Sequence, residues 1–71
     1  MSVEILAPMP GKIIDVLVNV GDQVNEDDEL LILEAMKMEN PVYATAGGVV
    51  KEIKVKKDDT VDSDQLLIVL E

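Results

Sequence analysis

Seventy-one residues carrying a formal net charge of −9 allow one small domain, and a chain of this size buries only about 60% of its unfolded surface, so its fold must be regular. Cysteine and histidine are absent, which removes a disulfide framework, a thiolate metal site and any Ser/His or Cys/His catalytic pair. The acidic balance and a single aromatic, Tyr43, argue against phosphate-backbone binding and base stacking. No apolar run reaches the ~18 residues of a membrane span, and no basic-then-apolar signal segment opens the sequence. The expectation is a soluble, cytoplasmic, acidic domain that is not an enzyme and has neither nucleic acid nor membrane as a partner.

In chain order, "VEILA" (3–7) reads as a first strand. Val16, Val18 and Val20 alternate with Asp15, Leu17 and Asn19, the period of a half-buried strand. Gly21-Asp22 and Asp27-Asp28 are turn signals. An apolar strand then ends at Glu34, runs through "AMKM" and re-enters as "ENPVYA". Later, Ile53 and Val55 alternate with Glu52, Lys54 and Lys56, Asp58-Asp59 and Ser63-Asp64 mark turns, and a last strand ends at Glu71. The acidic stretches "NEDDE" (25–29) and "DDTVDSD" (58–64) lack the spacing of an EF-hand loop and read as turns on a solvated face. Lys51, Lys54, Lys56 and Lys57 read as a solvent face as well.

The chain repeats itself. Shifted by 37 positions, residues 7–34 lie over 44–71 without a gap. Ala7/Ala44, Gly11/Gly48, Asp22/Asp59, Val24/Val61, Leu30/Leu67 and Leu33/Leu70 are identical, and Ile13/Val50 and Val16/Ile53 are apolar in both copies. Each half holds about four short strands, roughly eight in all, and two such units bury their apolar faces only against each other. The expected fold is all-β: a flattened barrel or sandwich of two four-stranded antiparallel sheets with quasi-two-fold internal symmetry. In the second copy the turn matching "AMKM" is cut, because the chain ends at Glu71 and its partner strand is 3–7. The axis therefore places Lys37 at a hairpin tip, at the end of the molecule opposite the chain ends.

"EAMKM" (34–38) resembles the attachment motif of biotinyl domains, and "APMPG" (7–11) is similar to the Pro-Met-x-Gly segment near their start. Together with the repeat, the resemblance to the biotinyl/lipoyl attachment family covers essentially all of 1–71. It implies a single hybrid motif barrel and a small carrier like the stand-alone attachment proteins of bacilli, with no Ala/Pro-rich tether before Val3 and no inserted thumb. Carried over, Lys37 becomes the covalent biotin attachment point, and Glu34, Ala35, Met36 and Met38 the residues read by a biotin protein ligase. Lipoyl domains usually carry Asp and Ala about their lysine, so the methionines favour biotin, with lipoylation of Lys37 or an unmodified interaction hairpin as alternatives. Asp27, Asp58 and Asp64 stand where the family commonly has glycine, and Asp tolerates positive φ less well than Gly.

The resemblance also implies the chemistry. A ligase-bound biotinyl adenylate is attacked at its acyl carbon by the neutral amine of Lys37, giving an amide and releasing AMP. A free lysine has a pKa near 10.4, and only Glu34 and Glu39 stand nearby as internal bases, so the ligase is expected to remove the proton. Loss of the lysine charge takes the net charge from −9 to −10. The expected partners are the ligase, a biotin carboxylase and a carboxyltransferase, met by a carrier that is a monomer in isolation and performs none of their chemistry.

Overall fold

A computed structural model describes residues 2–71; Met1, the first residue of the expected 1–71 domain, lies outside the described residues. Its strands are β1 (Val3–Leu6), β2 (Gly11–Val16), β3 (Gln23–Val24), β4 (Glu29–Ala35), β5 (Met38–Tyr43), β6 (Gly48–Ile53), β7 (Thr60–Val61) and β8 (Leu66–Leu70), and there is no helix among the described residues. They form two four-stranded antiparallel sheets, ordered β1-β8-β6-β3 and β5-β4-β2-β7. The 37-residue shift carries one sheet onto the other strand for strand. The quasi-two-fold sandwich expected from the repeat is the fold observed.

Alternation explains the outer strands and continuity the central ones. In β2, Ile13 is buried while Lys12 and Asp15 face solvent. The central strands β4 and β8 bury Leu31 and Leu33, and Leu67, Ile68 and Leu70, respectively. Side chains of this kind contribute about 1.5–3 kcal/mol each when fully buried. Ile5, Val24, Val50 and Val61 complete one contiguous core, and Met9 packs against its margin. The cleft between the free edges of β1 and β5 straddles the axis, floored by Ile5 and its repeat equivalent Val42 and flanked by Leu6 and its equivalent Tyr43.

One expectation requires correction. The alternation through Val20 suggests strand as far as 20, yet β2 stops at Val16 and β6 at Ile53. The next residues stay tied to the central strands by single bonds, Leu17 N–H to the Leu30 carbonyl at 2.9 Å and Lys54 N–H to the Leu67 carbonyl at 2.8 Å. Val20 sits in the following turn and is 63% exposed. Turn closure wins over the apolar alternation because the chain must reverse at Gly21-Asp22 and Asp58-Asp59.

Those turns account for most of the acidic residues. Four of them, 19–22, 25–28, 56–59 and 62–65, share one design. The fourth residue's N–H donates to the first residue's carbonyl, at 3.0–3.2 Å. Its side chain accepts the first residue's N–H: Asp22 from Asn19, Asp28 from Asn25, Asp59 from Lys56 and Gln65 from Asp62, at 2.8–3.0 Å. The third residue has positive φ, at Gly21 (96°), Asp27 (72°), Asp58 (76°) and Asp64 (65°), as a type II turn requires. The three aspartates that replace the family's glycines therefore adopt the glycine conformation.

Lys51 pairs with Glu71 at 2.9 Å, and Lys54 pairs with Glu52. The hydrogen bond from Lys51 and its charge hold the Glu71 carboxyl below its ordinary range, and Lys54 does the same to Glu52. Both pairs are solvent-exposed, as expected of that lysine face.

Candidate functional site

The longest strand pairing in the molecule builds the hairpin β4–β5. Its register runs Leu31↔Val42, Ile32↔Pro41, Leu33↔Asn40, Glu34↔Glu39 and Ala35↔Met38. Only Met36 and Lys37 remain to turn the chain, and both have positive φ, 53° and 64°. A two-residue loop with that signature is a type I′ turn, whose twist matches the flanking strands. Such turns favour Asn-Gly, because a Cβ in the left-handed region costs roughly 1–2 kcal/mol per residue. Two side chains with no preference for this conformation thus occupy the most demanding backbone of the hairpin. Strain of this kind clusters at functional positions.

The side chains of the motif divide by face. Ala35 follows Leu31 and Leu33 on the inner face and is buried, closing the top of the core. Glu34 lies outward, in one row with Lys12 on β2 and Glu39 on β5, and all three are exposed. Met36 is 92% exposed and Met38 65%, so the two methionines beside Lys37 stand clear of the core. Lys37 is exposed too and forms no ion pair among the described residues, whereas Lys12 reaches Asp58 at 3.7 Å. What the tip presents is one primary amine between two thioethers, on a backbone fixed from both sides.

Two supports of the tip escape sequence reasoning. A Cβ at Gly11 would overlap the carbonyl oxygen of Glu34, so glycine lets β2 lie against the last residues of β4. The repeat mate Gly48 stands likewise against Glu71, where a Cβ would come within 3.1 Å of the carbonyl oxygen. The Gly11/Gly48 identity was the available signal, since a glycine kept in a strand marks close backbone approach. Asn40 donates its amide to the Met38 carbonyl at 3.1 Å and so steadies the residue after Lys37; nothing in its spacing announces that role.

Tip and chain ends occupy opposite ends of the molecule. Away from the tip, β4 and β5 meet at Glu29↔Tyr43, and Ala44 exchanges main-chain bonds with Asp27 and Asp28. Beyond it, Gly48 pairs with Val24, and Val49 exchanges two bonds with Glu71, which follows the Val3↔Leu70 pair. Gly11, by contrast, abuts Glu34 at the tip end.

Residues 3–70 match the biotin–lipoyl family, described as biotin-requiring enzyme. A biotin carboxyl carrier protein of Streptococcus mutans is 53% identical over 64 residues, which cover 90% of this chain and 49% of that protein. The pyruvate carboxylase of Bacillus subtilis is 43% identical over 67 residues, 94% of this chain but 6% of that enzyme. Among solved structures, the urea carboxylase of Kluyveromyces lactis superposes with a TM-score of 0.95 at 32% identity, over 100% of this chain and 6% of that one. The chain thus spans about half the length of the carrier protein and a small fraction of each carboxylase. With a family match over nearly its whole length and a two-sheet fold shared with a carboxylase, the chain belongs to the biotin–lipoyl attachment family.

Proposed function

We propose that this domain is a biotin carboxyl carrier, biotinylated on Lys37 by a biotin protein ligase and serving a biotin carboxylase and a carboxyltransferase in turn. The observation that carries the reading is the tip itself: an exposed lysine held at positive φ between two exposed methionines. The tip suits the group. An amide at the Lys37 Nζ needs an unpaired, accessible amine with solvent around it, and no ion pair competes for it among the described residues. The names of the relatives, a carboxyl carrier protein and two carboxylases, support biotin over lipoate.

Each motif residue then has a task. Lys37 supplies the nucleophilic nitrogen, and the ligase removes its proton. Met36 and Met38 give the ligase an apolar surface on either side of the amine, and Glu34 a carboxylate in the second strand pair below the turn. Ala35 acts through its small size, which lets the main chain close over the core and fixes the height of the tip. Bound biotin supplies a ureido nitrogen that accepts carboxylate at one enzyme and yields it at another. The domain holds that group at high effective concentration on a flexible side chain. The carrier works as a monomer in the cytoplasm.

Intact mass spectrometry of protein co-expressed with ligase, and fed biotin or lipoate, tests this reading. The expected result is one biotinyl group per chain, absent from Lys37→Ala. A lipoyl adduct alone would assign the domain to acyl transfer. No adduct under either condition would leave a hairpin that only docks on a partner.

A further inference from the structure

We infer that Met36 and Met38 form a reversible oxidation site that gates access of the ligase to Lys37, an inference that rests on the biotin reading above. The chain has neither cysteine nor tryptophan, so thioethers are its readily oxidised side chains. Among the described residues the structure ranks them sharply. Met36 and Met38 are 92% and 65% exposed, whereas Met9 is partly buried against the core. Both exposed sulfurs sit on the residues adjoining Lys37 in a two-residue turn, so any protein that closes over the amine covers both.

The chemistry needs only a peroxide. A sulfur lone pair attacks one peroxide oxygen, the S–O bond forms as the O–O bond breaks, and water leaves. Sulfur is oxidised by two electrons and the peroxide is reduced by two. The product exchanges a flexible apolar side chain for a polar, chiral one, and methionine sulfoxide reductases reverse it with thiol reductant. Neither methionine belongs to the buried core, which closes below them at Ala35, the partner of Met38. Oxidation therefore changes the face offered to a partner and leaves the fold in place. This separates a gate from ordinary oxidative damage, in which a sulfoxide disrupts a core.

The test uses the whole apo chain, treated with hydrogen peroxide, cleared with catalase and mapped by peptide mass spectrometry before ligase is added. Met36 and Met38 are expected to gain oxygen before Met9. With circular dichroism and thermal midpoint unchanged, kcat/KM for biotin transfer should fall by about tenfold or more, the scale of losing one apolar anchor at an interface. Treatment with sulfoxide reductases should restore the rate. In M36L/M38L, peroxide-treated and untreated protein should react at one common rate, whatever its value. Met9 oxidising first, or oxidised protein reacting at the untreated rate, would overturn the gate. If untreated protein accepts no biotin, the proposed function falls and the gate with it; a normal control beside an unaffected oxidised sample removes the gate alone.

Discussion

Lys37 holds a φ of 64° in a position that glycine would occupy without a Cβ penalty. Lys37→Gly should therefore stabilise the fold, by about 1 kcal/mol after the added freedom of the unfolded chain is subtracted. A urea midpoint raised at constant slope is the expected outcome, together with complete loss of the acceptor; a lower midpoint would show that the Lys37 side chain supports the turn. Under the proposed function, stability and function pull against each other at this one residue. The placement of Lys37 at a tip was legible in the sequence, because the repeat pairs that turn with the gap between the chain ends. Its turn type was not. Met-Lys carries none of the Asn-Gly signal of a type I′ turn, and the conformation is imposed by the register of β4 and β5 on either side. Gly11 was legible as a retained glycine, but its contact with the Glu34 carbonyl joins residues distant in sequence and needs the sheet to be seen.

Among the elements, the turns show most clearly what acidic composition does here. Asp28 and Asp59 each accept a main-chain N–H across their turn, from Asn25 and Lys56. Asp28→Ala and Asp59→Ala should each cost about 0.5–1.5 kcal/mol, the net worth of an ordinary hydrogen bond, because solvent at these exposed turns screens the carboxylate charge. Thermal midpoints should drop by similar amounts for the two, since they close different turns of one design; a drop at one only would show that the four turns differ in their support. Turn positions were readable from Gly-Asp, Asp-Asp and Ser-Asp pairs, whereas the ends of β2 and β6 were not. Apolar alternation continues through 17–20 although the ladder stops at Val16, because a period of two reports which face is buried and says nothing of where pairing ends. β5, an edge strand, carries its own safeguard. Counting outward from the hydrogen-bonded Ala35↔Met38 pair that closes the turn, Pro41 falls at a non-hydrogen-bonded position, with its missing N–H on the free edge. A proline there deprives an incoming strand of a donor.

At the scale of the molecule, the two halves are interleaved. Each sheet takes two strands from the first half and two from the second: β1 and β3 with β6 and β8, β2 and β4 with β5 and β7. Separated fragments 1–36 and 38–71 should be unstructured alone, since neither retains a complete sheet or a closed core. Amide proton dispersion in nuclear magnetic resonance spectra checks this, and a folded half would refute the dependence of each copy on the other. The repeat made the symmetry legible, and with it the pairing of 3–7 with the last strand; the pairings of β3 with β6 and of β2 with β7 were not, because those neighbours are set by three-dimensional packing. The Val3↔Leu70 pairing has a mechanical sequel. Force applied between the chain ends loads the β1–β8 ladder from its end, so its bonds break in succession as in a zipper. Force applied between Lys37 and the chain ends runs along the strands and loads many bonds at once, in shear. The molecule is therefore compliant across its base and stiff along the line that joins its chain ends to the lysine.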